Sequence, residues 1–406
     1  MGWNGKGRAI RPDLGMLRDR GSSAHLILRP MRWMVVAAGC ALAVAHLSGQ
    51  ENGPWQMLDA GTTASLRGID SVDGKTAWAS GTSGTVLKTT DGGAHWTKCA
   101  LPDAATDGAT LDFRGVQGFD SERAIVMASG PGTKSRLYTT KDGCRTWTLL
   151  FANPDSPGGF FDSFWFNGGR GIVVGDPVNG KFVVFLAEKD GRTWKRDPHP
   201  GLALGKRDLG AFAASNSSIA LGNGLFTRAF ATGGKSGSFF FSRPFTADED
   251  KDGLLEKVVH KEPPWKVSQI PLGIATESSG TFSVAYRYPV TTGNCAECTF
   301  NDNSIFVAVG GDYKNPGDSA RTAAWSADGG ATWVEAKTLP HGYRSAVQWS
   351  DGLKAWIAAG TNGSDISRDD GKTWQPLDEG NWNALSLPFV VGPNGRIAKL
   401  KPAAKR

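Results

Sequence analysis

Three arginines and four aspartates stand where they could act on one ligand. Arg67, Arg114 and Arg344 each open a short apolar stretch, and Asp162 holds the same place in another. Asp176, Asp312 with its neighbour Tyr313, and Asp365 follow in later turns. A guanidinium is a planar fork that grips a carboxylate with two parallel bonds, so recurring arginines read as a surface for an acidic partner or ligand. Carboxylates about 5–10 Å apart across an open groove would suit glycoside hydrolysis, with Asp162, Asp176 and Asp312 as the candidates. The same groups can also pair with each other and tie neighbouring elements together.

Other constellations are weaker. Asp248, Asp250, Asp252 and Glu256 copy the early positions of a calcium loop, but Val259 stands where the bidentate carboxylate belongs. The competing reading is a solvated acidic loop, and no other cofactor is expected. Residues 229–236 match a loose phosphate-loop pattern, yet a strand-like Phe run follows where a helix N-terminus is needed. His95, His199, His260 and His341 lack metal spacing, and no nucleophile elbow is present. Cys295 and Cys298 form a CxxC with no second pair. They read as a local disulfide, free thiols, a redox pair or half a metal site, and Cys99 and Cys144 complete an even set of four.

The chain has 406 residues, 54 of them Gly and 15 Trp, with 21% charged, which is foldable and poor in helix-forming runs. Its net charge of +6 is concentrated at the start: residues 51–406 carry 38 basic and 37 acidic side chains. Bulk charge therefore gives no case for nucleic-acid binding. Arg29 and Arg32 precede an apolar run over 33–47, too short for a comfortable membrane span, and a polar stretch follows. Residues 1–50 read as an export leader, with 1–30 an over-long start before Met31, and Cys40 is a poor lipidation site. The mature chain is expected to be periplasmic or extracellular, with no integral membrane span.

The elements that must position these residues come from a repeat. Segments 90–96, 141–147, 188–194, 327–333 and 368–374 share an Asp, one or two Gly and a closing Trp. Cys144 replaces one Gly, and Lys189 stands where the third copy needs its Asp. This is the Asp-box, or BNR, pattern: the carboxylate accepts bonds from its own turn, and Gly supplies positive φ. These aspartates are turn-makers, not catalysts. Around each box runs a four-stranded antiparallel meander, the blade of a β-propeller. The repeat Trp residues are separated by 51, 47, 139 and 41 residues, so the long gap holds two blades. Its missing blade reads as strands at 211–215, 228–232 and 238–242, with Trp265 opening the fourth. Insertions fall at 243–264 and 290–303. The last blade lacks an outer strand, and Trp55–Leu58 fits the vacancy, giving an all-β, seven-bladed ring closed by its N-terminal strand over 51–406.

With its inner-strand starts Arg67-Gly68-Ile69 and Arg114-Gly115-Val116, the run at 81–93 and Gly310-Gly311-Asp312-Tyr313, the chain resembles the exported photosystem II stability/assembly factor family and its relatives in non-photosynthetic bacteria over residues 52–402. That resemblance implies a non-catalytic scaffold that binds a protein partner and holds no cofactor. Asp-boxes also occur in sialidases and other glycoside hydrolases, so a hydrolase or a carbohydrate-binding propeller is the alternative; a sialidase would need an arginine triad and a Tyr nucleophile, and the chain has only 5 Tyr. In this topology these arginines and aspartates, Arg67 to Asp365, share the face opposite the boxes, around the mouth of a central channel.

Overall fold

The computed structural model describes residues 53–188, 191–222, 227–244, 263–288 and 304–402. These form seven four-stranded sheets, each an antiparallel meander in chain order except the last. The first blade comprises Leu66–Ser71, Ala77–Gly81, Val86–Thr89 and Thr97–Lys98. Its second strand is buried along its whole length, as are Ala124–Ala128 and Ala355–Gly360 in the second and sixth blades. Such strands lie between two flanking sheets, so alternation gives way to continuous small and branched apolar residues. Outer strands such as Thr97–Lys98 face solvent.

The box turn explains its own sequence. In the fifth blade Asp328 accepts from the Ser326 hydroxyl (2.7 Å), the Thr332 amide (2.9 Å) and the Thr332 hydroxyl (2.5 Å). Gly330 N donates to the Ser326 hydroxyl at 2.9 Å. Gly329 and Gly330 sit at φ +72 and +87, where a Cβ is unwelcome, and a Cβ on Gly330 would stand 2.5 Å from Phe240 of the preceding blade. Trp333 then packs on Phe240 at 5.3 Å and donates to Gly330 O at 3.0 Å. Asp142 and Asp369 repeat these bonds, and at Asp91 the His95 ring replaces the Thr hydroxyl. Cys144 occupies the Gly position at φ +69 and forms a disulfide with Cys99, which follows the first blade's outer strand.

Ring closure follows the expected scheme. Trp55–Leu58 pairs antiparallel with Ile397–Leu400, from Trp55 opposite Leu400 to Leu58 opposite Ile397. Trp55 is buried, packs on Trp382 and donates to the Ser364 hydroxyl at 3.1 Å, so it grips the sixth and seventh blades together. Closure gives the seventh blade its fourth strand and ties the two ends of the described chain into one sheet. On the box face, Asp70 accepts from Gly118 N of the second blade at 2.8 Å, and Gln117 exchanges two 2.8 Å bonds with the Phe166 backbone of the third.

The fourth blade corrects one expectation. Its inner strand is Ile219–Gly222, paired with Thr227–Ala231, and not residues 211–215. Residues 211–218 instead cross the central channel. Ala213 O accepts from Arg114 in the second blade, and Asn216 accepts from Phe164 N in the third at 2.8 Å. Ser217 donates to Ser283 in the fifth at 2.7 Å, and Ser215 to Ser345 O in the sixth at 2.6 Å. Where seven inner strands converge only small side chains fit, and hydroxyls satisfy the backbone groups exposed there. Both expected insertions fall mainly on residues outside the described ones, as do Cys295 and Cys298.

Candidate functional site

Arg67 and Arg114 open the inner strands of adjacent blades, and both reach Asp112, at 3.0 and 2.8 Å. One carboxylate thus serves two guanidinium groups. Their side chains remain 31% and 30% exposed, so the mouth carries unbalanced positive charge that a solvent-side acceptor can reach. Burial pulls Arg67 below its ordinary value against the attraction of Asp112, and the nearby Arg114 charge pulls the same way. An added carboxylate would oppose both effects by favouring the charged guanidinium.

Beside this pair lies an aromatic shelf. Phe212 stacks on Phe282 at 3.9 Å, and Tyr343 meets Phe282 edge-on at 4.8 Å. Tyr313 leans on Phe282 at 6.1 Å and is 48% exposed. Tyr343 is buried, which pushes its hydroxyl far up, while the charge of Arg67 pulls it down. The shelf is built from the channel-crossing segment and the fifth and sixth blades, beside charge from the first and second.

The remaining candidates are placed differently. Asp162 is buried, with one carboxylate oxygen lacking a hydrogen-bond partner. Burial drives its carboxyl well above the usual range, Asp176 adds to this, and Arg114 opposes it. Burial also raises Asp176, which accepts from Ala211 N at 3.0 Å and so anchors the channel-crossing segment. Asp312 caps its own turn, accepting from Lys314 N at 2.9 Å and the Asn315 amide at 3.0 Å. Burial opposes ionisation there, but these bonds and one from Ser278 hold its carboxyl below the usual range. Arg344 and Asp365 are fully buried against each other, with Arg344 Nε 2.5 Å from Asp365. His341 joins them at 2.8 Å from Asp365, and Asn362 accepts from Arg344 at 2.7 Å.

The structure therefore brings Arg67, Arg114 and Tyr313 to the mouth, sets Asp162 and Asp176 beneath it, and locks Arg344 with Asp365 inside the sixth blade. Asp112, Phe212, Phe282 and Tyr343 escaped the sequence reading. Asp112 had a signal, two residues before Arg114, whereas the aromatics meet only through folding. Asp248, Asp250, Asp252 and Glu256 lie outside the described residues; among the described residues no three metal-ligating side chains cluster. No described helix is long and apolar enough to cross a membrane.

No protein-family model matches the chain. It is 24% identical over 352 residues to the photosystem II assembly protein Ycf48 of Synechococcus sp. (strain JA-2-3B'a(2-13)), spanning 77% of this chain and 88% of that one. The chain resembles Ycf48. A second relative, the photosystem II assembly lipoprotein Ycf48 of Synechococcus sp. (strain CC9902), is 30% identical over 140 residues, or 34% of this chain and 38% of the relative. Among solved structures, Ycf48 bound to a D1 peptide superposes with TM-score 0.54 at 15% identity, covering 86% of this chain and 96% of that one. That likeness shows a shared fold, the seven-bladed ring.

Proposed function

We propose that this chain is an exported, protein-binding assembly scaffold whose channel mouth receives an acidic segment of a protein partner. The observation that carries the reading is the sharing of Asp112 by Arg67 and Arg114, both partly exposed. The Tyr313 shelf supplies apolar contact beside that charge, the mix of Arg and aromatic side chains that dominates protein interfaces. The similarity to an assembly protein, and a solved relative holding a peptide, support it. The relative named a lipoprotein supports export, with residues 1–50 as leader and 51–406 as the mature ring. Against the hydrolase alternative, Asp162 is buried and Asp312 is spent on its own turn, so the three aspartates do not line an open sugar groove.

The Arg67→Ala/Arg114→Ala double variant tests this. Partly exposed ion pairs are worth about 1 kcal/mol or less each and the bond from Arg114 to Ala213 O about as much again, so the ring should stay folded with its melting temperature lowered by a few degrees. Capture of proteins from the native envelope fraction should fall at least tenfold, with no glycan bound on an array. Unchanged capture, or a collapsed fold with capture retained in the refolded remainder, would assign the arginines to structure.

A further inference from the structure

Four inner strands open on a β-bulge, which leaves Arg67, Arg114, Asp162 and Phe282 outside the ladders of their own blades. A bulged residue is released from the pleat and its side chain is re-aimed, here toward the channel. The two arginines brought there are not equivalent. Arg114 is committed to the fold: its Nε donates to Asp112 at 2.8 Å and a terminal nitrogen to Ala213 O at 3.3 Å. Arg67 lies 3.0 Å from Asp112 but off the line of a hydrogen bond, and its buried Nε is left without a partner. Its guanidinium, 31% exposed, is open to a better acceptor.

A second donor stands beside it. Tyr343 belongs to the connection into the sixth blade and is fixed from several sides. Its N–H donates to Pro316 O at 2.9 Å, its carbonyl accepts from Arg344 at 2.6 Å, and its ring meets Phe282 edge-on at 4.8 Å. Gly311 leaves it room, since a Cβ there would stand 3.3 Å from Tyr343 Cα. Only 4% of Tyr343 is exposed, yet its hydroxyl bonds to no group among the described residues. A buried tyrosine hydroxyl normally has a partner. Burial keeps this one protonated, so it meets an anion as a donor, and the charge of Arg67 acts on it. Bonds around the channel join the two places: Ser345 donates to Asn383 O at 2.8 Å, and Asn383 to Leu66 O at 2.7 Å. Tyr313, 48% exposed, leans on the same Phe282 and offers an apolar landing next to the donors. We infer that Arg67 and the Tyr343 hydroxyl together grip one carboxylate of the partner, while an apolar side chain adjoining that carboxylate lies on Phe282 and Tyr313. The inference rests on the mouth as the docking face. Two converging donors select a carboxylate over an amide, whose own N–H groups would face them unpaired.

Titration of the full chain with short peptides, followed by NMR, tests the pairing. One probe is a tetrapeptide capped at both ends with phenylalanine before aspartate, and the other is an acetylated dipeptide ending in a free phenylalanine carboxylate. Each is matched by its amide form, with asparagine or a terminal amide. Whichever acid binds more tightly shows whether a side chain or a chain end supplies the carboxylate, and its amide should bind at least tenfold more weakly. Tyr343→Phe removes one hydroxyl and keeps the ring, so it should melt as wild type does. It should weaken the acid by about tenfold and leave the amide unchanged. Added to Arg67→Ala, the same substitution should cost less than twofold, because both donors act on one carboxylate. Full binding of the acid to Tyr343→Phe, with loss in Arg67→Ala, would overturn the pairing and leave the scaffold reading standing. So would equal weakening of acid and amide by Tyr343→Phe, or no probe bound while Arg67→Ala/Arg114→Ala still loses its captured proteins. Acid binding indifferent to Arg67→Ala would remove the mouth from recognition, and the pairing with it.

Discussion

Aspartates in the first two blades titrate in opposite directions. Hydrogen bonds from the Thr146 hydroxyl and amide hold Asp142 at about 2, whereas burial lifts Asp70 to about 6. The unfolded chain returns both to about 4. Asp142 therefore contributes stability above about 4 that is lost as pH falls toward 2. The contribution of Asp70 runs the other way: it is complete below about 4 and lost as pH rises through 6. Asp70→Asn keeps an acceptor for Gly118 N but cannot ionise. Its melting temperature relative to wild type should rise between pH 4 and pH 6 and then level off; a pH-independent difference would contradict the assignment. The role of Asp142 was legible, because its partners lie within four residues. That of Asp70 was not, because Gly118 and Ser386, from the second and seventh blades, create its surroundings.

Among the elements, the second box exchanges a Gly for a cross-link. Cys144 takes the left-handed position and is bonded to Cys99, while Ala100 N donates to Cys144 O at 3.1 Å and Trp147 to Ala100 O at 2.9 Å. The disulfide closes a separation of 45 residues between the first and second blades. Constraint of the unfolded chain makes such a loop worth about 4 kcal/mol. Cys144→Ser should lose about that much in urea unfolding under oxidising conditions, and reductant should bring wild type to the same value. Insensitivity of wild type to reductant would refute the link. The boxes made most blades readable, since each fixes a turn from within. The fourth blade misled because residues 211–215 have the composition of a short strand. Their small side chains instead serve a crossing of the channel, a constraint set by the other inner strands.

For the whole molecule, counting strands was enough to expose a vacancy in the last blade, and Trp55–Leu58 fills it. The intact ring should unfold in one calorimetric transition, and removing residues 51–60 should broaden or split it; an unchanged sharp transition would deny the strand its part in closure. The mouth was only half readable. Arg67 and Arg114 recur at equivalent places in the repeat and could be found, whereas Phe212, Phe282 and Tyr343 converge from a crossing segment and two blades. Hydrogen exchange on the full chain, alone and with its captured envelope partner, tests the account most directly. The expected result is slowed exchange at 65–68, 111–115 and 312–314 with little change around the boxes. Protection confined to the box face, with the mouth exchanging as in the free protein, would contradict it.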